Sequence, residues 1–560
     1  MKKKSAAKSR APRETTDTRW DHLAQDIVKT LCRRRPILAT HLGIHDHDGE
    51  LPDPSREAVR EDIHLAHQWL KRIEAFPTRG LSPDRAVDKA VAAQWCRLEL
   101  FELETCETWR HRPDAAQTAA YSVLPLFINE FAPLNERLDK IHSRLEKIPH
   151  FLERARSRLE EGVTLWVQVA IETCGAVPAL FEQIRAAAER SLDHERYQHF
   201  YGATLRARTA VQDFADWLRR EALPRSKPEF ALGPARFKEL VKLRELGASP
   251  EAIRSYGRKQ LKNLKDRLKK LAGKVKPGAK LAEVSKEIRE NSPKTFEEAL
   301  AAVREQVLRS RQWVIDNEFA TVPDGESLEV VPTPAFARHL MPFGGYNAPA
   351  HFDRVQRGFY WVTPGDAERL KEHNFPSLMN MSVHEGYPGH HLQFVSAHGN
   401  PSPIRAAMAD GTEFIEGWAH YCEEAVKARG LDNTPAALFV QTQDMIWRAA
   451  RIVIDVELSS GRMTPAEAVE MLRKETGMDR LAAEAEVKRY TMSPGYQLSY
   501  LYGKKLVLEL KTWASRKMGK RFTDRFFHDA LLRAGSLPLG LMRKELEWRI
   551  KEARSKPVAN

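Results

Sequence analysis

The chain has 560 residues, 42% hydrophobic and 29% charged, with 12 Trp and 23 Phe, which is enough apolar material to fold and excludes a wholly disordered protein. A formal net charge of +13 admits an anionic partner. The excess is spread along the chain and no nucleic-acid module is recognisable, so no nucleic-acid partner is expected.

The N-terminal MKKKSAAKSRAPRETTDTRW is basic with no apolar segment behind it. It is therefore not a secretory signal, and residues 1–19 are expected to form a disordered basic tail. From residue 20 the apolar spacing is helical, over 20–31, 56–76, 85–109, 134–161, 178–191 and 201–221. No apolar run reaches the roughly 18–20 residues of a membrane span. The five cysteines, Cys32, Cys96, Cys106, Cys174 and Cys422, show no CxxC spacing and fit a reducing compartment. The expectation is a cytoplasmic protein without membrane contact.

Ser249-Pro250 opens a further helix as N-cap and first-turn proline. In it Leu261, Leu264, Leu268 and Leu271 make a buried stripe under a solvated basic face. KVKPGAK and NSPKTF interrupt the helices near 275–295, giving an N-terminal helical region (20–290) and a catalytic one (291–560), expected as one continuous body. Between Glu326 and Pro364 the segments LEVVPTP, GGYNAP and GFYWVTP alternate β-branched or aromatic residues with turn formers and predict a small strand-rich element. Thr464-Pro465 opens a late helix in the same way as Ser249-Pro250.

The chemistry gathers just after the strand-rich element, in MSVHEGYPGHHLQFVSAHG. In HExxH zinc proteases two histidines at i and i+4 share a helix face, and the glutamate between activates a water on the metal. Here Pro388 occupies i+4 from His384, and His390 and His391 follow. On a straight helix His390 would point about 120° away from His384, and His391 would lie about 10.5 Å further along the axis. Pro388 lacks the N–H that would bond the His384 carbonyl and disfavours helix at Tyr387. A break at Tyr387–Gly389, with the freedom of Gly389, would return His390 to the place of the second histidine. That favours His390 over His391 as ligand beside His384.

The third ligand is sought in TEFIEGWAHYCEEAVKARG, which offers Glu413 and Glu416. Glu416 is preferred, and His420, one turn on, either orients a ligand or packs. Two histidines and a glutamate with an open water position make the usual catalytic zinc site, with Glu385 as general base. Tyr500 is the leading donor for an oxyanion, with Tyr496 and His528 behind it. Arg451 and Arg489 could grip a substrate carboxylate, or be structural ion-pair partners.

With these residues in view, the chain resembles the DUF885 family, grouped with HExxH-like, gluzincin-type metallopeptidases. The resemblance runs over nearly the whole length, through ATHLGIHDHDGELPD, LGPARFKELVKLRELGASPE, SPKTFEEAL, HEGYPGHHLQ, EGWAHYCEE, RYTMSPGYQLSYLYG and FHDALLRAGSLPLGLM. It implies a mainly α, zincin-like metallopeptidase fold, zinc at His384, His390 and Glu416, Glu385 as base, and a peptide or amide substrate. Two departures stand out: Tyr496 where PGQALSY is usual in the family, and Ser459 where a histidine is expected. A non-catalytic helical scaffold with a degenerate metal site is the rival expectation.

Overall fold

The computed structural model describes residues 14–335, 338, 341 and 343–555. Most of the basic tail expected at the N-terminus lies outside the described residues. Its expected end is displaced: Thr15 caps a helix over Thr16–Arg34 by accepting from the Thr18 N–H. Burial of Trp20, Leu23 and Ile27 on one face of that helix carries its first turn into the segment assigned to the tail.

The helical segments follow their apolar stripes, and two of their limits differ from the sequence reading. Pro178 does not start a helix but lies inside Thr164–Ser191, where Trp166, Val167, Ala170 and Cys174 extend the buried face upstream. By length and composition this helix could cross a membrane, yet here that face is packed in a core. The other difference is a helix at Leu281–Glu290 within the interruption near 275–295.

Among the described residues three apolar cores join the helices. One combines Trp20, Ile27 and Trp69 with Val303, Tyr387, Trp418 and Leu546, so the division near residue 290 does not separate two cores. A second, built on Val123, Leu145, Phe181 and Phe214, reaches Trp361. The third packs Leu261, Leu264, Leu268 and Leu271 against Ile446, Ile452 and Tyr502, as the stripe on the Pro250–Val275 helix predicts.

The strand-rich element is a three-stranded sheet in the order β1-β3-β2, with β1 Glu326–Pro332, β2 Gly344–Asn347 and β3 Gln356–Val362. β1 runs parallel to β3, and β2 antiparallel to it. The sheet lies beside the histidine segment: Glu326 of β1 and Tyr346 of β2 both bond His391.

Candidate metal centre

The helix Phe375–Glu385 ends where Gly386 leaves helical geometry, and a new helix, His390–Ala397, starts four residues later. The intervening turn contains a cis Tyr387-Pro388 bond and folds the chain back on the end of the first helix. A Cβ at Gly389 would stand 2.0 Å from the His384 carbonyl oxygen and 2.2 Å from that of Val383. Only glycine fits that approach. The break sets the His384 and His390 rings at 87° with centroids 4.8 Å apart.

The Thr412–Lys427 helix clamps this turn, for Trp418 donates its indole N–H to the Pro388 carbonyl at 2.8 Å. On its other side the helix crosses Leu501–Met518 closely: a Cβ at Gly417 would lie 2.5 Å from the Gly503 carbonyl carbon. Thr412–Lys427 presents Glu416 between the histidines, with Oε2 3.6 Å from His384 Nε2 and 3.5 Å from His390 Nε2. Glu416 thus meets each histidine near the ~3.4 Å that separates neighbouring ligands of a tetrahedral metal ion, and the three donor atoms all lie within 4.8 Å of one another. Glu416 Oε2 is also buried without a hydrogen-bond partner, and such an atom is costly unless something charged or protic meets it. Among the described residues His384, His390 and Glu416 are the one group of this kind.

His384 and Glu416 are oriented from behind. His384 donates Nδ1–H to Glu423 Oε1 at 2.8 Å, which leaves Nε2 facing Glu416. Glu423 takes a second bond from Asn380 at 3.0 Å and lies 3.5 Å from Arg448. A carboxylate behind a ligating imidazole fixes its tautomer and strengthens it as a donor. Glu416 Oε1 accepts the Tyr496 phenol at 2.7 Å. That carboxylate's charge, with burial, pushes the phenol well above its ordinary value, so it remains a donor. Although burial opposes charge on His384, the nearby Glu416 carboxylate and the bond to Glu423 hold its pKa up to about 10. The cluster therefore favours positive charge, as protons or as a metal ion.

His391 is fully buried and turned to the sheet, with Nε2 2.5 Å from Glu326 and Nδ1 3.0 Å from Tyr346, and stands outside the cluster. Glu413 is committed to Arg244 at 2.6 Å. Glu385 is buried beside His384 and makes no hydrogen bond among the described residues. Its charge is felt at Tyr346 and Tyr360. Tyr500 is nearly buried, and its ring lies 6.0 Å from that of Tyr496; the phenol touching the cluster is Tyr496.

His528 departs from expectation. Its Nδ1 bonds the Phe319 carbonyl at 2.7 Å, its Nε2 bonds the Tyr421 hydroxyl at 2.8 Å, and its ring packs on Trp418. Trp418 and Tyr421 lie on a different side of their helix from Glu416, so His528 is a packing residue away from the cluster. His420 is fully buried, 3.3 Å from Glu423. The sequence reading missed Glu423, Asn380 and Tyr346. Glu423 alone left a trace, two turns beyond Glu416 on one helix face.

The description that matches the chain is "Bacterial protein of unknown function (DUF885)", over residues 36–546. This chain belongs to the DUF885 family. No curated protein matches it in sequence. Solved structures share its fold, two of which follow. One is described as a "putative lipoprotein of unknown function" from Shewanella oneidensis, with a TM-score of 0.77 and 19% identity, covering 94% of this chain and 98% of that one. The other is described as a "putative lipoprotein" from Colwellia psychrerythraea, with a TM-score of 0.82 and 19% identity, covering 96% of this chain and 100% of that one. At such identity the likeness concerns the fold of this DUF885 protein.

Proposed function

We propose that this DUF885 protein is a zinc-dependent hydrolase of peptide or amide bonds, a gluzincin-type metallopeptidase that holds zinc with His384, His390 and Glu416. The observation that carries the reading is the unpartnered Glu416 Oε2, 3.6 Å and 3.5 Å from two imidazole nitrogens. Zinc in such a site acidifies water toward ~7 and polarises a carbonyl. Glu385 takes the proton from the attacking water and returns it to the leaving amine. Tyr500, which burial keeps protonated, offers its O–H to the oxyanion. Tyr496 and Glu423 hold the ligands in place.

The substrate is a small peptide or amide. The five cysteines are unpaired, which suits a reducing compartment and leaves the cytoplasm as the proposed place of action. Elemental analysis of purified protein, paired with hydrolysis of short peptides, tests the reading. One zinc per chain is expected; Glu385→Gln should keep zinc and lose nearly all turnover, and His384→Ala should lose both. Zinc with no hydrolysis of any peptide would favour the scaffold, and wild-type turnover in Glu385→Gln would refute Glu385 as the base.

A further inference from the structure

Beside the metal cluster, the Pro435–Ser459 helix and the Arg480–Met492 helix bring two guanidinium groups onto one carboxylate. Arg451 Nη2 and Arg489 Nη2 both donate to Glu486 Oε2, each at 2.8 Å. Arg451 also donates Nε–H to the Tyr490 hydroxyl at 2.8 Å. Among the described residues no hydrogen bond occupies Nη1 of Arg451, or Nε and Nη1 of Arg489. Two cations thus share one anion, and a positive charge with free N–H groups remains.

A third arginine, Arg448, does not belong to this surplus, since it lies 3.5 Å from Glu423 and 4.0 Å from Asp444. The pair is shaped as well as charged. The Arg451 guanidinium lies 3.9 Å from the Trp447 ring centroid and 4.9 Å from that of Tyr500, so its plane is fixed before a ligand arrives. The Arg489 side chain is 42% exposed, and that of Arg451 is 5%. One is open to an incoming anion and the other forms the rigid floor.

The distance to the cluster limits what the anion can be attached to. The Tyr500 ring, 4.9 Å from Arg451, is 6.0 Å from the Tyr496 ring, whose hydroxyl bonds Glu416. With the reach from the Tyr496 ring to its hydroxyl and the 2.7 Å bond to Glu416 added, the whole path is spanned by about five extended residues at ~3.5 Å each. A planar, bidentate donor pair is matched to a carboxylate, and in a peptide the carboxylate present at every sequence is the C-terminal one.

We propose that Arg451 and Arg489 form the carboxylate-binding subsite of this centre, so that its substrates are short peptides with a free C-terminus, cut within about five residues of that end. The inference rests on the hydrolase reading and names the substrate class. Arg451 and Arg489 are specificity residues that act through binding.

The test uses full-length, zinc-loaded protein and N-acetylated short peptides made both as free acids and as C-terminal amides. Binding is measured by calorimetry with Glu385→Gln, and hydrolysis with the wild type. The free acid is expected to bind at least ~10-fold more tightly than the amide. Arg489→Ala, a change at an exposed side chain, should erase that preference through KM with kcat little altered, and Arg451→Lys should reduce it. Equal affinity for acid and amide would overturn the inference, even if both are hydrolysed. A preference for the acid that Arg489→Ala abolishes, without hydrolysis of either peptide, would support the subsite and count against the hydrolase reading alone.

Discussion

Tyr496→Phe removes one oxygen atom and tests whether the cluster is a metal site held in shape from behind. The Tyr496 phenol is the donor to Glu416 Oε1 at 2.7 Å, while Oε2 faces the two histidines. A hydrogen bond to a charged group is worth ~1.5–3 kcal/mol, which sets the ceiling. The bond also exists without zinc, so only its orienting share reaches the metal affinity. Outer partners of this kind are worth about 10–100-fold in affinity, or ~1.4–2.7 kcal/mol. Competition for zinc against a chromophoric chelator at fixed pH reads this directly, and thermal unfolding of the zinc-free variant checks that the fold survives. A dissociation constant within about twofold of wild type would refute the argument that Tyr496 orients Glu416.

Two further outcomes follow from the same geometry. His528 is buried between the Phe319 carbonyl and the Tyr421 hydroxyl, and burial lowers its pKa to about 3 from an ordinary 6.5. A lowered histidine stabilises the fold above 6.5, and that contribution is lost as pH falls from 6.5 towards 3. His528→Gln should therefore flatten the acid limb of the stability–pH curve measured by denaturant unfolding, and should leave zinc stoichiometry intact. An unchanged acid limb, or loss of zinc, would contradict the packing role. Gly389→Ala places a methyl group 2.0 Å from the His384 carbonyl oxygen; bound zinc should be lost while helical circular dichroism persists, and normal zinc binding would show that the turn tolerates a side chain.

The sequence revealed the parts of this molecule that local rules control. The leucine stripe of the basic helix, the sheet at Glu326–Val362 and the helix break after Glu385 are each set by residues within a few positions, through period, β-branching or a missing N–H. His390 could be preferred over His391 because Pro388-Gly389 shifts the helical phase, and the structure brings His390 to Glu416 and turns His391 to Glu326. What stayed hidden depends on contacts between distant segments. Nothing local to His528 announces that Phe319 and Tyr421 saturate both ring nitrogens. Nothing local to His384 names Glu423 as its partner, thirty-nine positions away. Ligand types are written in a motif, whereas the groups that aim them are set by helix packing.

Ser459 and Tyr496, which the resemblance marks as departures, acquire a common physical meaning once that packing is known. Ser459 donates its hydroxyl to Asp455 Oδ1 at 2.8 Å, and the Asp455 carboxylate accepts the backbone N–H of Gly495 and of Gln497, each at 2.8 Å. Those two amides flank Tyr496, so the aspartate grips the turn that carries the phenol to Glu416. Burial raises the Asp455 pKa to about 6, and the three donors offset part of the cost of keeping a carboxylate there. In this chain Ser459 therefore acts through a support beneath the His384–His390–Glu416 cluster. Ser459 reaches the cluster in three steps: hydroxyl to Asp455, Asp455 to the Tyr496 turn, and Tyr496 to Glu416. A serine suffices at the first of them because that bond needs one short donor, and a position that only steadies a turn can change its side chain while the ligands keep their geometry.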